Sequence, residues 1–171
     1  QRVIPVIKKI REINKIIPIS IDTRHAKVAL EALKSGADII NDVSGLDFDP
    51  QMTAVAVDFK CPVVIMHSLA NPETMQINPE YNSNIIDEIF TDLYEKTKRA
   101  ESSGIKKENI IIDPGIGFGK TIEHNIEIIR RISEFSSLGY PVLVGISRKS
   151  FIYKTLNTNP QDVEETNISI N

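Results

Sequence analysis

The sequence predicts an α/β fold built around a parallel sheet. Stretches whose apolar residues recur every three or four positions, as in amphipathic helices, alternate with short runs rich in β-branched residues. These runs are apolar throughout, which is typical of strands buried on both faces of a parallel sheet. No linker or low-complexity tract divides residues 1–171, so we expect a single domain.

The first half of the chain begins with a helix, which carries apolar residues at helical spacing from Val3 to Ile13 and ends before Pro18. Strands are then predicted at 17–21, 39–40 and 62–66, and helices at 27–34 and 51–59. Gly36 follows the helix at 27–34 in the position of a helix-ending glycine. Pro50 stands at the start of the next helix, where proline is favoured.

The second half continues the alternation. Apolar residues trace one face of a long helix from Ile85 to near Gly104. Strands at 110–112 and 141–146 flank another helical stripe, at 122–132. The sequence therefore predicts about five strands, with a helix or the start of one after each.

Polar side chains follow every predicted strand. They are Asp22-Thr23, Asn41-Asp42, His67, Asp113 and Ser147-Arg148-Lys149. In parallel α/β folds, ligands bind at the carboxyl ends of the strands. Polar residues also mark the point where any strand gives way to a loop, but five such ends together favour a small-molecule pocket.

A glycine-rich loop follows the fourth strand. Gly115, Gly117 and Gly119 have the spacing G-x-G-x-G, which is neither the G-x-G-x-x-G of dinucleotide-binding proteins nor a P-loop. A flexible turn is the simplest explanation. Phe118 in its middle instead suggests a loop that presents an aromatic surface to a ligand.

Composition excludes several classes of protein. The net charge of -3 is spread without blocks, which argues against a nucleic-acid surface. No apolar run approaches the ~20 residues of a membrane-spanning helix, and Cys61 alone cannot form a disulfide framework. The chain starts at Gln1 without the pattern of a signal peptide, so we expect a cytoplasmic piece of a longer protein.

Four segments of the sequence form a recognisable set: DPGIGFGK at 113–120, VGISRKSFI at 144–152, and the stretches 20–45 and 63–76. Together they resemble the dihydropteroate synthase family of pterin-binding enzymes. The resemblance runs from about residue 2 to residue 168. It implies a TIM (β/α)₈ barrel, which typically needs ~250 residues, so 1–171 is expected to be a partial barrel domain with about five of eight strands.

The resemblance also implies a reaction. The amine of p-aminobenzoate displaces diphosphate from (7,8-dihydropterin-6-yl)methyl diphosphate and gives dihydropteroate. A carboxylate can accept two hydrogen bonds from the pterin edge, and Asp113 matches the family residue in that role. Asp22, Asn41 and Lys149 match further pterin contacts. Met66 is expected to pack against the pterin face, with core filling as the alternative.

Other matched positions concern the second substrate and the chemistry. For p-aminobenzoate the resemblance implies Phe118 against the ring and Ser147 near the carboxylate. Arg148 is a further candidate, although a salt bridge to a neighbouring helix would explain it equally well. The expected catalytic residues are Lys149, beside the reacting centre, and Asp113 and Asp22, whose charges favour a cationic pterin intermediate.

The family uses Mg²⁺, bound through the substrate diphosphate and a residue outside this chain. We expect no metal site in the chain itself, because His25, His67 and His124 show no zinc spacing with Cys61. The resemblance further implies a homodimer at full length and inhibition by sulfonamides, which mimic p-aminobenzoate. The diphosphate and metal contacts lie in missing parts of the barrel, so activity is expected of the full-length protein.

Several residues are given structural roles. We expect Asp42 to brace a loop, Cys61 and His67 to pack in the interior, and Lys120 and Thr121 to lie in a loop or at the surface. Two other functions stay open: a pterin-binding methyltransferase domain that uses methyltetrahydrofolate, and a non-catalytic pterin-binding fragment.

Overall fold

The computed structural model describes residues 2–68 and 84–158, in which helices and strands alternate. The elements are α1 (Val3–Ile13), β1 (Ser20–Asp22), α2 (Ala26–Lys34), β2 (Ile39–Asp42), α3 (Met52–Phe59), β3 (Val63–Met66), α4 (Ile85–Ser102), β4 (Ile110–Asp113), α5 (Ile122–Arg130) and α6 (Ser150–Thr155). Two 3₁₀ helices, Lys107–Asn109 and Ile132–Leu138, precede β4 and follow α5, respectively. The segment 69–76, which belongs to the family resemblance, lies outside the described residues.

Within the described ranges, the strands form a four-stranded sheet in the order β1-β2-β3-β4, and every neighbouring pair is parallel. A helix connects each strand to the next, so all four carboxyl ends lie at one edge. The register pairs Asp22 with Asn41, and Met66 with Asp113. The predicted polar strand ends are therefore neighbours in the structure.

The strands are buried on both faces, as their continuous apolar runs predict. All four residues of β3 are buried, although successive side chains of a strand point to opposite faces. Ile40, Ile110 and Ile112 are fully buried beside them. Cys61, just before β3, is 7% exposed, which confirms its predicted place in the core.

The prediction of a fifth strand at 141–146 is wrong for the described residues. Only Val142 forms a bridge, to Ile112, through hydrogen bonds from Ile112 N to Pro141 O and from Leu143 N to Ile112 O. The other apolar residues of this segment stay between 37% and 42% exposed. The backbone of this segment follows β4 for one bridge and then leaves the sheet.

No helix among residues 2–68 and 84–158 is long and apolar enough to cross a membrane.

Candidate functional site

The candidate site lies at the carboxyl edge of the sheet, where β1 and β2 end side by side. The amide nitrogen of Asn41 donates to Oδ2 of Asp22 at 3.5 Å. Burial raises the pKa of Asp22, and the negative charge of Asp42 raises it further. Asp22 remains exposed, so its carboxylate and the Asn41 amide form a polar pair that a ligand can reach.

Asp113 lies at the end of β4. It is more deeply buried than Asp22, the other acidic residue that the sequence selects for ligand binding. Asp113 is 7% exposed, and its Oδ1 accepts a hydrogen bond from Gly115 N at 2.7 Å. Burial raises its pKa, and three groups oppose that shift: the Gly115 N–H, the Lys120 ammonium and the Lys149 ammonium. One of its oxygens is thus held by the backbone, which fixes the direction of the carboxylate.

Lys149 lies directly before α6 and meets the glycine loop. Its ammonium is 4.0 Å from the centre of the Phe118 ring, a cation–π contact. Burial lowers the pKa of Lys149, and attraction to Asp113 opposes this. The structure therefore brings together Asp113 at the end of β4, Phe118 in the loop that follows, and Lys149 before α6.

Close packing and hydrogen bonds define the conformation of the glycine loop, residues 115–119. Gly117 has a φ of +78°, and a Cβ placed there would lie 2.7 Å from Cδ of Lys149. Gly117 N donates to Oδ1 of Asn125 at 2.6 Å, and Phe118 N donates to Gly115 O. These bonds connect the loop that carries Phe118 to α5 and close its turn.

Asn125 helps to hold the glycine loop, and the sequence analysis did not identify it. It is 2% exposed on α5, and its amide also donates to Thr121 O at 2.6 Å. The signal in the sequence is its position three residues after Ile122, on the apolar face of an amphipathic helix. A buried amide there needs partners, and the loop supplies them.

Lys120 lies in the loop before α5, as predicted, but the alternative that it lies at the surface is wrong. The residue is 7% exposed, and its Nζ lies 3.1 Å from Nδ1 of His67 and 3.0 Å from Phe118 O. Thr121 caps α5, with its hydroxyl accepting from His124 N. The chain therefore turns into the helix directly after Lys120, and this turn directs the lysine side chain inward.

His67 is buried, at 4% exposure, which confirms that it packs in the interior. Burial and the charges of Lys120 and Lys96 lower its pKa to about 2, so the imidazole is neutral. Nδ1 faces the Lys120 ammonium and hence acts as the acceptor, which assigns the ring proton to Nε2. His67 N also donates to Asp113 O, continuing β3 alongside β4.

The other selected residues lie around this centre. Met66 is 2% exposed at the end of β3, paired in register with Asp113. Ser147 and Arg148 are exposed in the segment before α6, and Arg148 has a left-handed φ of +54°. Their assignment to p-aminobenzoate stays a prediction. Asp42 accepts hydrogen bonds from Ser44 and Leu46, so its predicted role in bracing a loop is confirmed.

Among the described residues, no group of three or more His, Cys, Asp and Glu side chains is placed to hold a metal ion.

Comparisons with known proteins agree on one family. Residues 1–170 match the family described as pterin binding enzymes. The dihydropteroate synthase of Synechocystis sp. is 46% identical over 157 residues, which are 92% of this chain and 54% of that protein. The chain therefore spans about half the length of this curated relative.

Solved structures give the same answer. Dihydropteroate synthase from Clostridium difficile, determined in the presence of pteroic acid, has a TM-score of 0.84 at 46% identity, covering 94% of this chain and 58% of that one. The Thermus thermophilus enzyme in complex with 4-aminobenzoate has a TM-score of 0.85 at 37% identity, covering 96% and 60%. The likeness confirms that the parallel sheet and its helices form part of a (β/α)₈ barrel.

Proposed function

Because the chain belongs to the family of pterin binding enzymes, we propose that the whole protein is a dihydropteroate synthase. It joins p-aminobenzoate to the pterin-methyl group of (7,8-dihydropterin-6-yl)methyl diphosphate. The observation that carries this proposal is the meeting of Asp113, Phe118 and Lys149 at one edge of the sheet. Related enzymes with pteroic acid or 4-aminobenzoate share the fold.

The pterin is held by the carboxylate of Asp113. A pterin presents a ring N–H beside an amino group, and an ionised carboxylate accepts both hydrogen bonds as a charge-assisted pair. Gly115 N already holds Oδ1 of Asp113 in place, so the group is oriented before the ligand arrives. Asn41 and Asp22 complete the polar edge, and Met66 lies beside Asp113 as an apolar surface for the ring.

The p-aminobenzoate ring lies against Phe118. Lys149 stands over that aromatic ring and close enough to Asp113 for the two charges to interact, so it borders both substrates. Ser147 and Arg148 precede Lys149 and are assigned to the carboxylate of p-aminobenzoate. Holding the amine against the exocyclic pterin carbon removes much of the entropic barrier to the reaction.

The bond changes are those of a substitution. The bond between the exocyclic carbon and the diphosphate oxygen breaks, and its electron pair leaves with diphosphate. The carbon then carries positive charge that the pterin ring shares, and the anionic Asp113 and Asp22 stabilise this charge. The amine nitrogen forms the new bond and loses a proton. No covalent bond to the protein is needed.

Four further properties are part of this proposal. Magnesium accompanies the substrate diphosphate, and no ligand to it is assigned within the described residues. The whole protein acts in the cytoplasm as a homodimer. Sulfonamides compete with p-aminobenzoate.

The test is product formation by the whole protein. It is incubated with the pterin diphosphate, p-aminobenzoate and magnesium, and dihydropteroate and diphosphate are measured by chromatography. We expect equal amounts of both products, and no dihydropteroate when p-aminobenzoate is omitted. Transfer of a methyl group from methyltetrahydrofolate, without dihydropteroate formation, would instead identify a methyltransferase and overturn the proposal.

A further inference from the structure

Lys120 is a buried cation next to the proposed binding residues, and the reaction outlined above gives it no role. Its Nζ lies 3.1 Å from Nδ1 of His67 and donates to Phe118 O at 3.0 Å. His67 follows β3, whereas Phe118 belongs to the loop after β4. The ammonium therefore fastens the glycine loop to the neighbouring strand end.

Gly115 connects this ammonium to Asp113. A Cβ at Gly115 would lie 3.1 Å from the Lys120 ammonium and 2.0 Å from O of His67, so both press against the glycine backbone. The N–H of the same residue donates to Asp113 Oδ1. Lys120 therefore packs against Gly115, and Gly115 in turn donates a hydrogen bond to Asp113.

Charged groups of both signs surround Lys120. Burial lowers the pKa of Lys120 to about 7, so its ammonium is present below that pH; Asp113 and Asp92 attract this charge, whereas Lys96, from α4, and Lys149 repel it. The neutral His67 ring contributes an acceptor without charge. For Asp113, in turn, Lys120 and Lys149 are the two cations that offset the cost of burying the carboxylate.

We propose that Lys120 is a positioning residue of the pterin and p-aminobenzoate site, which holds the Phe118 loop against the end of β3, next to Asp113. The inference rests on the proposed function. Lys120 touches neither substrate in this scheme, because its ammonium is directed to His67 and to the backbone of Phe118. It acts through the two residues that do.

The expected consequence is a change in pH dependence. Only ionised Asp113 accepts both pterin hydrogen bonds, and burial already raises its pKa. Removing the positive charge of Lys120 raises the pKa of Asp113 further. As the pH is lowered, the variant therefore loses pterin affinity at a higher pH than wild type does. Asp22 also titrates on this limb, but its pKa is set by burial and by Asp42, so the substitution leaves it unchanged.

The experiment compares Lys120→Met with Lys106→Met in the whole protein. Methionine is unbranched, one atom shorter than lysine and uncharged. Lys106 carries an exposed charge shortly before the amino end of β4. Affinity for a pterin analogue is measured by calorimetry between pH 5 and pH 8, and the Asp113 carboxyl is titrated by carbon NMR. KM for p-aminobenzoate is measured in parallel.

We expect Lys120→Met to move the acid midpoint of pterin binding and the Asp113 titration upward together by about one pH unit, a tenfold loss of affinity below the midpoint. KM for p-aminobenzoate rises as the Phe118 loop loosens, and Lys106→Met behaves as wild type. An unchanged Asp113 titration, with a lower melting temperature alone, would reduce Lys120 to a structural residue and overturn the inference.

Lys120→Met also leaves Nδ1 of the buried His67 without its ammonium partner, and this can impair folding. Lys120→Met with His67→Leu removes both polar groups together, and the same upward shift is expected in this double variant. If the wild-type protein binds no pterin analogue, the proposed function fails. If it binds one with a midpoint that neither substitution moves, only the present inference fails.

Discussion

The ammonium of Lys149 lies 4.0 Å from the centre of the Phe118 ring. One residue precedes α6 and the other belongs to the loop after β4, so this contact joins the two loops that carry most of the proposed p-aminobenzoate site. Gly117 makes it possible, because any Cβ at that position would collide with the lysine side chain. The pair accordingly provides two direct tests of the proposed function.

The first test removes the aromatic ring of Phe118. Phe118→Leu removes the ring on which p-aminobenzoate and sulfonamides are proposed to lie, and contacts of this kind contribute about 0.5–1.5 kcal/mol. We expect both ligands to bind several-fold more weakly, while pterin affinity changes little. Competition binding measures all three ligands, with Phe59→Leu, on α3, as the matched control. Equal losses for all three would contradict the assignment of Phe118.

The second test removes the ammonium. Lys149→Met should reduce kcat strongly, because the lysine borders the reacting centre in the proposed site. Lys9→Met removes a charge that is 71% exposed on α1, and we expect it to have wild-type turnover. Steady-state kinetics with both substrates distinguishes kcat from KM. A Lys149→Met variant with unchanged kcat would exclude the residue from the chemistry.

The backbone of Gly115 provides a test of stability. Its φ is +73°, and a Cβ would lie 2.0 Å from the carbonyl oxygen of His67, a backbone atom that cannot move aside alone. Gly115→Ala should therefore lower the free energy of unfolding by more than about 2 kcal/mol. At Gly145 nothing lies within 4 Å of the added Cβ, so Gly145→Ala is the control. Urea denaturation compares them, and similar midpoints would show that the turn around Gly115 is described incorrectly.

His67 makes stability depend on pH in a definite direction. Its pKa is about 2 in the folded protein, against 6.5 as the ordinary value. Below pH 6.5 the unfolded chain therefore binds a proton that the folded chain does not, and stability falls as acid is added.

The slope from this residue is about 1 kcal/mol per pH unit. His67→Gln keeps an acceptor for Lys120 but does not titrate. We expect it to lose stability less steeply than wild type between pH 6 and pH 5, as measured by urea denaturation at each pH. Parallel slopes would mean that His67 becomes protonated in the folded protein.

Periodicity and strand ends were sufficient to predict the parallel sheet and to place Asp22, Asn41 and Asp113 at one edge. These features depend on local spacing and on the rule that parallel strands end together. The fifth strand was overpredicted, because the apolar run at 141–146 carries no information about how many partners the backbone finds. The burial of Lys120 was not predicted, for a related reason. A lysine after glycines shows no periodicity, so the sequence does not indicate the contact with His67 that accompanies its burial.

The central claim is that Asp113 recognises a pterin, and calorimetry with a pterin analogue tests it most directly. Asp113→Asn is nearly isosteric, but an amide cannot accept two hydrogen bonds as a carboxylate does. Asp58→Asn, at an exposed position of α3, is the matched control. We expect wild type and Asp58→Asn to bind the analogue, and Asp113→Asn to lose that binding with an unchanged circular-dichroism spectrum. Near-normal pterin affinity in Asp113→Asn would contradict the central claim.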